Sequence, residues 1–112
     1  MKRVLFLMLF LFFLAGCEKK EIPLGNLPGA QIYHGITRSD VRCFRCHGPI
    51  GEGSSAPALV KDGKTIDPAL FVKTVLDGRN RMPPFASVLS EVEIKSIIDW
   101  LEKVHKKTDG NG

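Results

Sequence analysis

Cysteine is scarce in this 112-residue sequence: there are three, with Cys43 and Cys46 in one tight motif and Cys17 far upstream. No thiol is left over for a disulfide framework, so a chain this short needs another staple, a metal or a large cofactor. A strong charge of one sign is missing too. Lys and Arg number 16 against 12 Asp and Glu, a formal +4 that falls toward balance once Lys2 and Arg3 are set aside with the leader segment. This balance excludes nucleic acid as a partner, which would ask for a dense basic stripe. No apolar run reaches the ~20 residues that a helix needs to cross a bilayer, which excludes a permanent transmembrane span. Internal repeats and low-complexity tracts are absent, nothing alternates as a strand, and the length holds one small domain. The fold class is therefore all α.

What is present begins with export. Met1 to Cys17 reads as a basic start at Lys2 and Arg3, an apolar run from Val4 to Leu14, and small residues, the pattern of a signal peptide. Leu14-Ala15-Gly16-Cys17 resembles a bacterial lipobox, which implies a cut after residue 16 and a lipid on Cys17. Acyl chains contribute about 0.8 kcal/mol per buried CH₂, so several on one residue give durable anchoring. The expected organisation is a signal peptide over 1–16, a lipid anchor and flexible tether over 17–28, a domain over 29–108 and a tail over 109–112. Pro23, Gly25 and Pro28 break any regular period in the tether.

Two helices are signalled in the domain. Asp67-Pro68 marks a helix start, and Leu70, Phe71, Val75 and Leu76 form an apolar stripe running to Gly78. Ser90 and Glu93 form a capping box, with Leu89 and Ile94 at the staple positions around it. Ile94, Ile97, Ile98, Leu101 and Val104 then recur at helical spacing. Helical turns are also expected between Ala30 and Arg42, interrupted by Gly35.

Cys43-Phe44-Arg45-Cys46-His47 is a c-type haem attachment sequence. Two thiols two residues apart on a helical turn can add across the vinyl groups of one porphyrin, and the adjacent histidine is then placed to coordinate the iron. The porphyrin supplies the apolar surface that the short chain lacks. Three other readings compete: a thioredoxin-like pair, which needs strand and helix surroundings that are not visible; a zinc site, which only the scattered His34 and His105 would complete; and a chance match, against which the export signal argues. Each of those histidines reads first as a packed or solvated side chain.

Over residues 29–106 the chain resembles the class I cytochrome c family. His47 is followed by Gly48, Gly51 and Gly53 and then by Ala56-Pro57-Ala58-Leu59, as the family follows its haem-binding histidine with glycines and a proline. Arg81-Met82-Pro83-Pro84-Phe85 matches the methionine before proline that supplies its second axial ligand. The resemblance implies a small cytochrome c fold, three or more helices wrapped around one haem c held covalently by Cys43 and Cys46. It implies His47 and Met82 as axial iron ligands, and the Pro57 carbonyl as acceptor of the axial histidine's hydrogen bond. Gly29 and Tyr33 have the mutual spacing of the family's first-helix glycine and aromatic, with Trp100 as packing partner. Tyr33 stands ten residues before Cys43, however, where the family has its aromatic one turn before; Ser39 occupies that position here. An insertion around Gly35 to Asp40, or another path for Tyr33 toward the haem, would account for this.

The expected function is electron transfer by a membrane-tethered monohaem cytochrome, not enzymatic catalysis, because two protein ligands leave iron no open position. The alternative is a haem-based gas sensor or minor peroxidase in which Met82 dissociates. A third reading is a binding lipoprotein whose Cys43 and Cys46 hold zinc or shuttle thiols. Arg42, Arg45, Arg79 and Arg81 flank the ligand motifs and would steer acidic redox partners, a membrane respiratory complex or an exported dehydrogenase. The expected location is a bacterial membrane, with the domain facing the periplasm or the outside of the cytoplasmic membrane.

Overall fold

The computed structural model describes residues 21–61 and 65–109; the signal peptide with Cys17 and the last three residues lie outside them. Among the described residues four helices occur in chain order: α1 Pro28–Tyr33, α2 Phe44–His47, α3 Pro68–Asp77 and α4 Glu91–Asp109. The described residues contain no strand beyond an isolated bridge between Arg79 and Met82.

The long helix α4 organises the rest. Its apolar stripe is buried along its length: Ile94, Ile97, Ile98, Trp100, Leu101 and Val104 are all at most 6% exposed. The start is fixed by reciprocal bonds, Ser90 N to Glu93 Oε1 at 3.1 Å and Glu93 N to Ser90 Oγ at 3.2 Å, with Leu89 and Ile94 buried around the cap. Arg38 ties the cap to the loop after α1, donating to Glu93 Oε2 at 3.2 Å and to the Val88 carbonyl. The Ser90 backbone N–H, with smaller help from the Ser90 hydroxyl and the Arg38 charge, holds the Glu93 carboxyl below the usual carboxylate range against a small desolvation cost. A folded value below the unfolded one means that Glu93 stabilises the protein fully above about pH 4.3, and that this contribution is lost as pH falls through the lowered value. Ser90→Ala is expected to cost about 1 kcal/mol in urea unfolding at pH 7. Glu93→Gln should lose stability at pH 7 and converge on the wild type below pH ~3; a gap that persists into acid would contradict it.

α1 packs directly on α4. Gly29 lies so close that a Cβ there would stand 2.0 Å from the Ser96 carbonyl oxygen. Ala30, Ile32 and Tyr33 enter the core beside it, and the Tyr33 and Trp100 rings meet at 5.0 Å between centroids. The helix stops at Tyr33, where Gly35 turns the chain at φ 68 and Ile36 N bonds back to Gln31 O at 2.8 Å. Residues 34–42 form a loop, so the nine residues between Tyr33 and Cys43 are not continuous helix.

The described part of the expected tether folds back on the domain. Ile22, Leu24 and Leu27 pack against the core, two backbone turns order the stretch, and the Trp100 indole donates to the Pro23 carbonyl at 2.8 Å. α3 starts where expected, with Asp67 capping Leu70 N at 3.3 Å. Its buried positions are Val72 and Val75, whereas Leu70 is 60% exposed and Phe71 and Leu76 are half-buried. The expected stripe thus holds at Val75 and in part at Phe71 and Leu76 but not at Leu70, because the helix turns Val72 and Val75, one turn apart, into the core.

Candidate haem-attachment site

The short helix α2 gathers the motif onto one turn. His47 N bonds to Cys43 O at 3.0 Å, and Gly48 N to Phe44 O at 3.0 Å. Cys43 is half-buried and Cys46 exposed, and neither is in a disulfide. Burial pushes the Cys43 thiol up to about 11, so it is neutral at physiological pH. A thioredoxin-like pair would sit between strand and helix, and the described residues contain no strand beyond the isolated bridge. Among the described residues no group of three or more His, Cys, Asp or Glu is arranged to hold a metal, which leaves the zinc reading without support.

After α2 the chain wraps back over His47. Gly48, Gly51 and Gly53 all take positive φ, which lets the loop close tightly: Gly53 N bonds to His47 O at 2.8 Å and Ala56 N to Cys46 O at 2.9 Å. This closure brings the Pro57 carbonyl to 2.9 Å from His47 Nδ1. A carbonyl can only accept, so Nδ1 carries the proton and Nε2 keeps its lone pair for a ligand.

Two further side chains, Tyr33 and His105, pin the same loop. The Tyr33 hydroxyl donates to the Gly48 carbonyl at 2.7 Å, and burial raises its pKa, keeping it a donor. His105, on α4, bonds through Nε2 to the Ile50 carbonyl at 2.8 Å. His34 instead stacks on Phe44 at 5.3 Å and meets Trp100 edge-on at 5.5 Å, and desolvation lowers its pKa. The only sequence signal for any of these was the aromatic spacing of Tyr33; the contacts of His105 and Arg38 had none.

Met82 sits in the loop after α3, half-buried and packed against the core. Around these segments the polypeptide leaves Phe44, Ile50, Leu59, Phe71, Leu76 and Phe85 only partly covered. That half-covered apolar set fits a flat apolar macrocycle better than it fits water. No helix among the described residues is long and apolar enough to cross a membrane.

The family described as "Cytochrome C oxidase, cbb3-type, subunit III" matches residues 28–101. Cytochrome c-555 of Methylococcus capsulatus (strain ATCC 33009 / NCIMB 11132 / Bath) is 40% identical over 70 residues, which is 62% of this chain. The chain spans about half, 55%, of that relative's length. No solved structure matches. The matched region runs from the first residue of α1 into α4 and encloses the attachment motif, its wrapping loop and the Met82 segment, so the chain belongs to the cytochrome c family, whose domains carry covalently attached haem c.

Proposed function

We propose that this chain is a monohaem electron carrier, with haem c joined to Cys43 and Cys46, His47 Nε2 and Met82 Sδ as axial ligands, and Cys17 carrying a lipid that holds the domain at a bacterial membrane. When bound, the haem iron supplies one-electron chemistry between its ferrous and ferric states. The observation that carries this reading is the His47 Nδ1 to Pro57 O contact at 2.9 Å. It fixes the imidazole tautomer and ring plane and makes Nε2 a stronger donor. Nothing in a metal-free thiol pair would call for it.

The other residues have consistent tasks. Tyr33 and His105 hold the loop that carries the Pro57 carbonyl, and the half-covered apolar side chains exclude water from the ring. Met82 contributes a soft thioether, which favours the ferrous state and raises the reduction potential relative to a second histidine. With His47 and Met82 filling both positions, a bound iron would have no open site for a substrate, which suits transfer rather than catalysis. The partners are redox proteins, and the exposed Arg42, Arg45, Arg79 and Arg81 favour acidic docking surfaces. The domain faces the periplasm or the outer side of the cytoplasmic membrane.

An optical titration of the reduced holoprotein with carbon monoxide tests the ligand pair. Wild type is expected to show a low-spin c-type spectrum and to ignore carbon monoxide, whereas Met82→Ala gains binding. Ready binding by wild type would point to a gas sensor or peroxidase with a labile Met82.

A further inference from the structure

The segment bearing Met82 is bolted to the C-terminal end of α3. A helix leaves its last carbonyls without intrahelical partners. Here Thr74 O accepts from Gly78 N at 2.9 Å, Val75 O from Phe85 N at 2.9 Å and Leu76 O from Ala86 N at 3.2 Å. The methionine segment therefore caps the helix, and the helix end orders the segment. Inside it Arg79 and Met82 exchange both main-chain bonds, at 3.0 and 2.9 Å, closing a two-residue turn over Asn80 and Arg81. Asn80 stands at φ 53, a left-handed conformation that Asn and Gly adopt and β-branched residues resist.

This docking requires a residue without a side chain at position 78. A Cβ there would lie 2.7 Å from Met82 O, 2.8 Å from Pro84 N and 3.0 Å from Pro83 C, and φ is +75. All three are backbone atoms of the methionine segment, so none can swing aside unless Met82 moves too. Pro83 and Pro84 stiffen the chain just beyond.

We propose that Gly78 and Asn80 are positioning residues for Met82: they hold the main chain of 79–84 so that the thioether is presented to the iron in both oxidation states. The proposal rests on Met82 being the sixth ligand. A thioether is a weak ligand, and its occupancy depends on how little ordering remains to be done when it binds. Loosening the segment sets conformational entropy directly against ligation.

The test uses reduced and oxidised holoprotein with Gly78→Ala, Asn80→Val, Asn80→Gly and Met82→Ala. Gly78→Ala and Asn80→Val are expected to bind carbon monoxide at least tenfold more tightly than wild type. They should also weaken the near-infrared sulfur-to-iron charge-transfer band of the ferric form, at temperatures where the helix signal is still intact. Asn80→Gly, which takes φ 53 without strain, should behave as wild type. If Gly78→Ala fails to accumulate, the contrast between the two Asn80 variants decides. Gly78→Ala and Asn80→Val that ignore carbon monoxide, beside a Met82→Ala that binds it, would overturn the positioning role and leave the ligand standing. A Met82→Ala that ignores it would overturn the ligand reading itself.

Discussion

A Cys43→Ser/Cys46→Ser double variant, produced in a host that matures c-type cytochromes, is expected to emerge without covalent haem and with most of its cooperative unfolding transition lost. The proposed attachment uses both thiols on α2, and serine oxygens do not form the thioether bonds. The consequence for the fold follows from the core. Among the described residues fourteen buried apolar residues cluster around α1, α3 and α4, whereas Phe44, Ile50, Leu59, Val60, Phe71, Leu76, Met82, Phe85 and Val88 are only partly buried. Fully burying such a side chain contributes roughly 1.5–3 kcal/mol. Nine that are half-covered forgo several kcal/mol, comparable with the whole ~5–15 kcal/mol stability of an ordinary domain. Haem retention after denaturation in acid acetone, with a far-ultraviolet circular dichroism melt of the same sample, measures both halves. Colour that survives extraction in the double variant would refute attachment through these cysteines. An unchanged melt without haem would show that the polypeptide core suffices.

Gly29→Ala should be the most damaging methyl addition to the described helices. The added Cβ would sit 2.0 Å from Ser96 O, 2.5 Å from Ser96 C and 2.9 Å from Ile97 Cα, all main chain of α4. No rotamer change relieves a clash between two helix backbones, so α1 must move off α4. With it go the Tyr33–Trp100 packing and the Tyr33 hydroxyl's bond to Gly48. Overpacking typically costs about 1–3 kcal/mol, and this contact lies at or beyond the upper end. For a domain of this size that lowers the melting midpoint by at least ~10 °C. Thermal melts of the holoprotein provide the check; a fall of under about 3 °C would mean that α1 separates from α4 cheaply. Because the Tyr33 bond lies one residue from His47, a disturbed haem spectrum before global melting is expected as well.

The features legible in the sequence are those written within one helical turn. The capping box at Ser90 and Glu93, the Asp67-Pro68 start and the apolar stripe of α4 each need only residues three or four positions apart, and each is found as expected. The Cys43 to His47 motif is equally local, since its chemistry depends on spacing along a single turn. The stripe of α3 is legible only in part: Val75 is buried and Phe71 and Leu76 pack against the core, but apolar residues lie on several sides of that helix, and only its packing decides that Val72 goes inside while Leu70 does not.

What the sequence by itself determined is therefore the all-α class of the described residues, the two longer helices and the single-turn placement of Cys43 to His47, because backbone geometry converts short spacings into shared faces. The tertiary structure alone decided that Tyr33 reaches Gly48 and His105 reaches Ile50, and that Pro23 receives the Trp100 indole and Gly78 cradles the Met82 turn. The first three join residues 15, 55 and 77 positions apart, and the last depends on how a loop folds back over the end of α3. Such meetings depend on where helices cross and how closely their backbones approach, quantities set by the packing of the whole chain and not spelled by any local pattern.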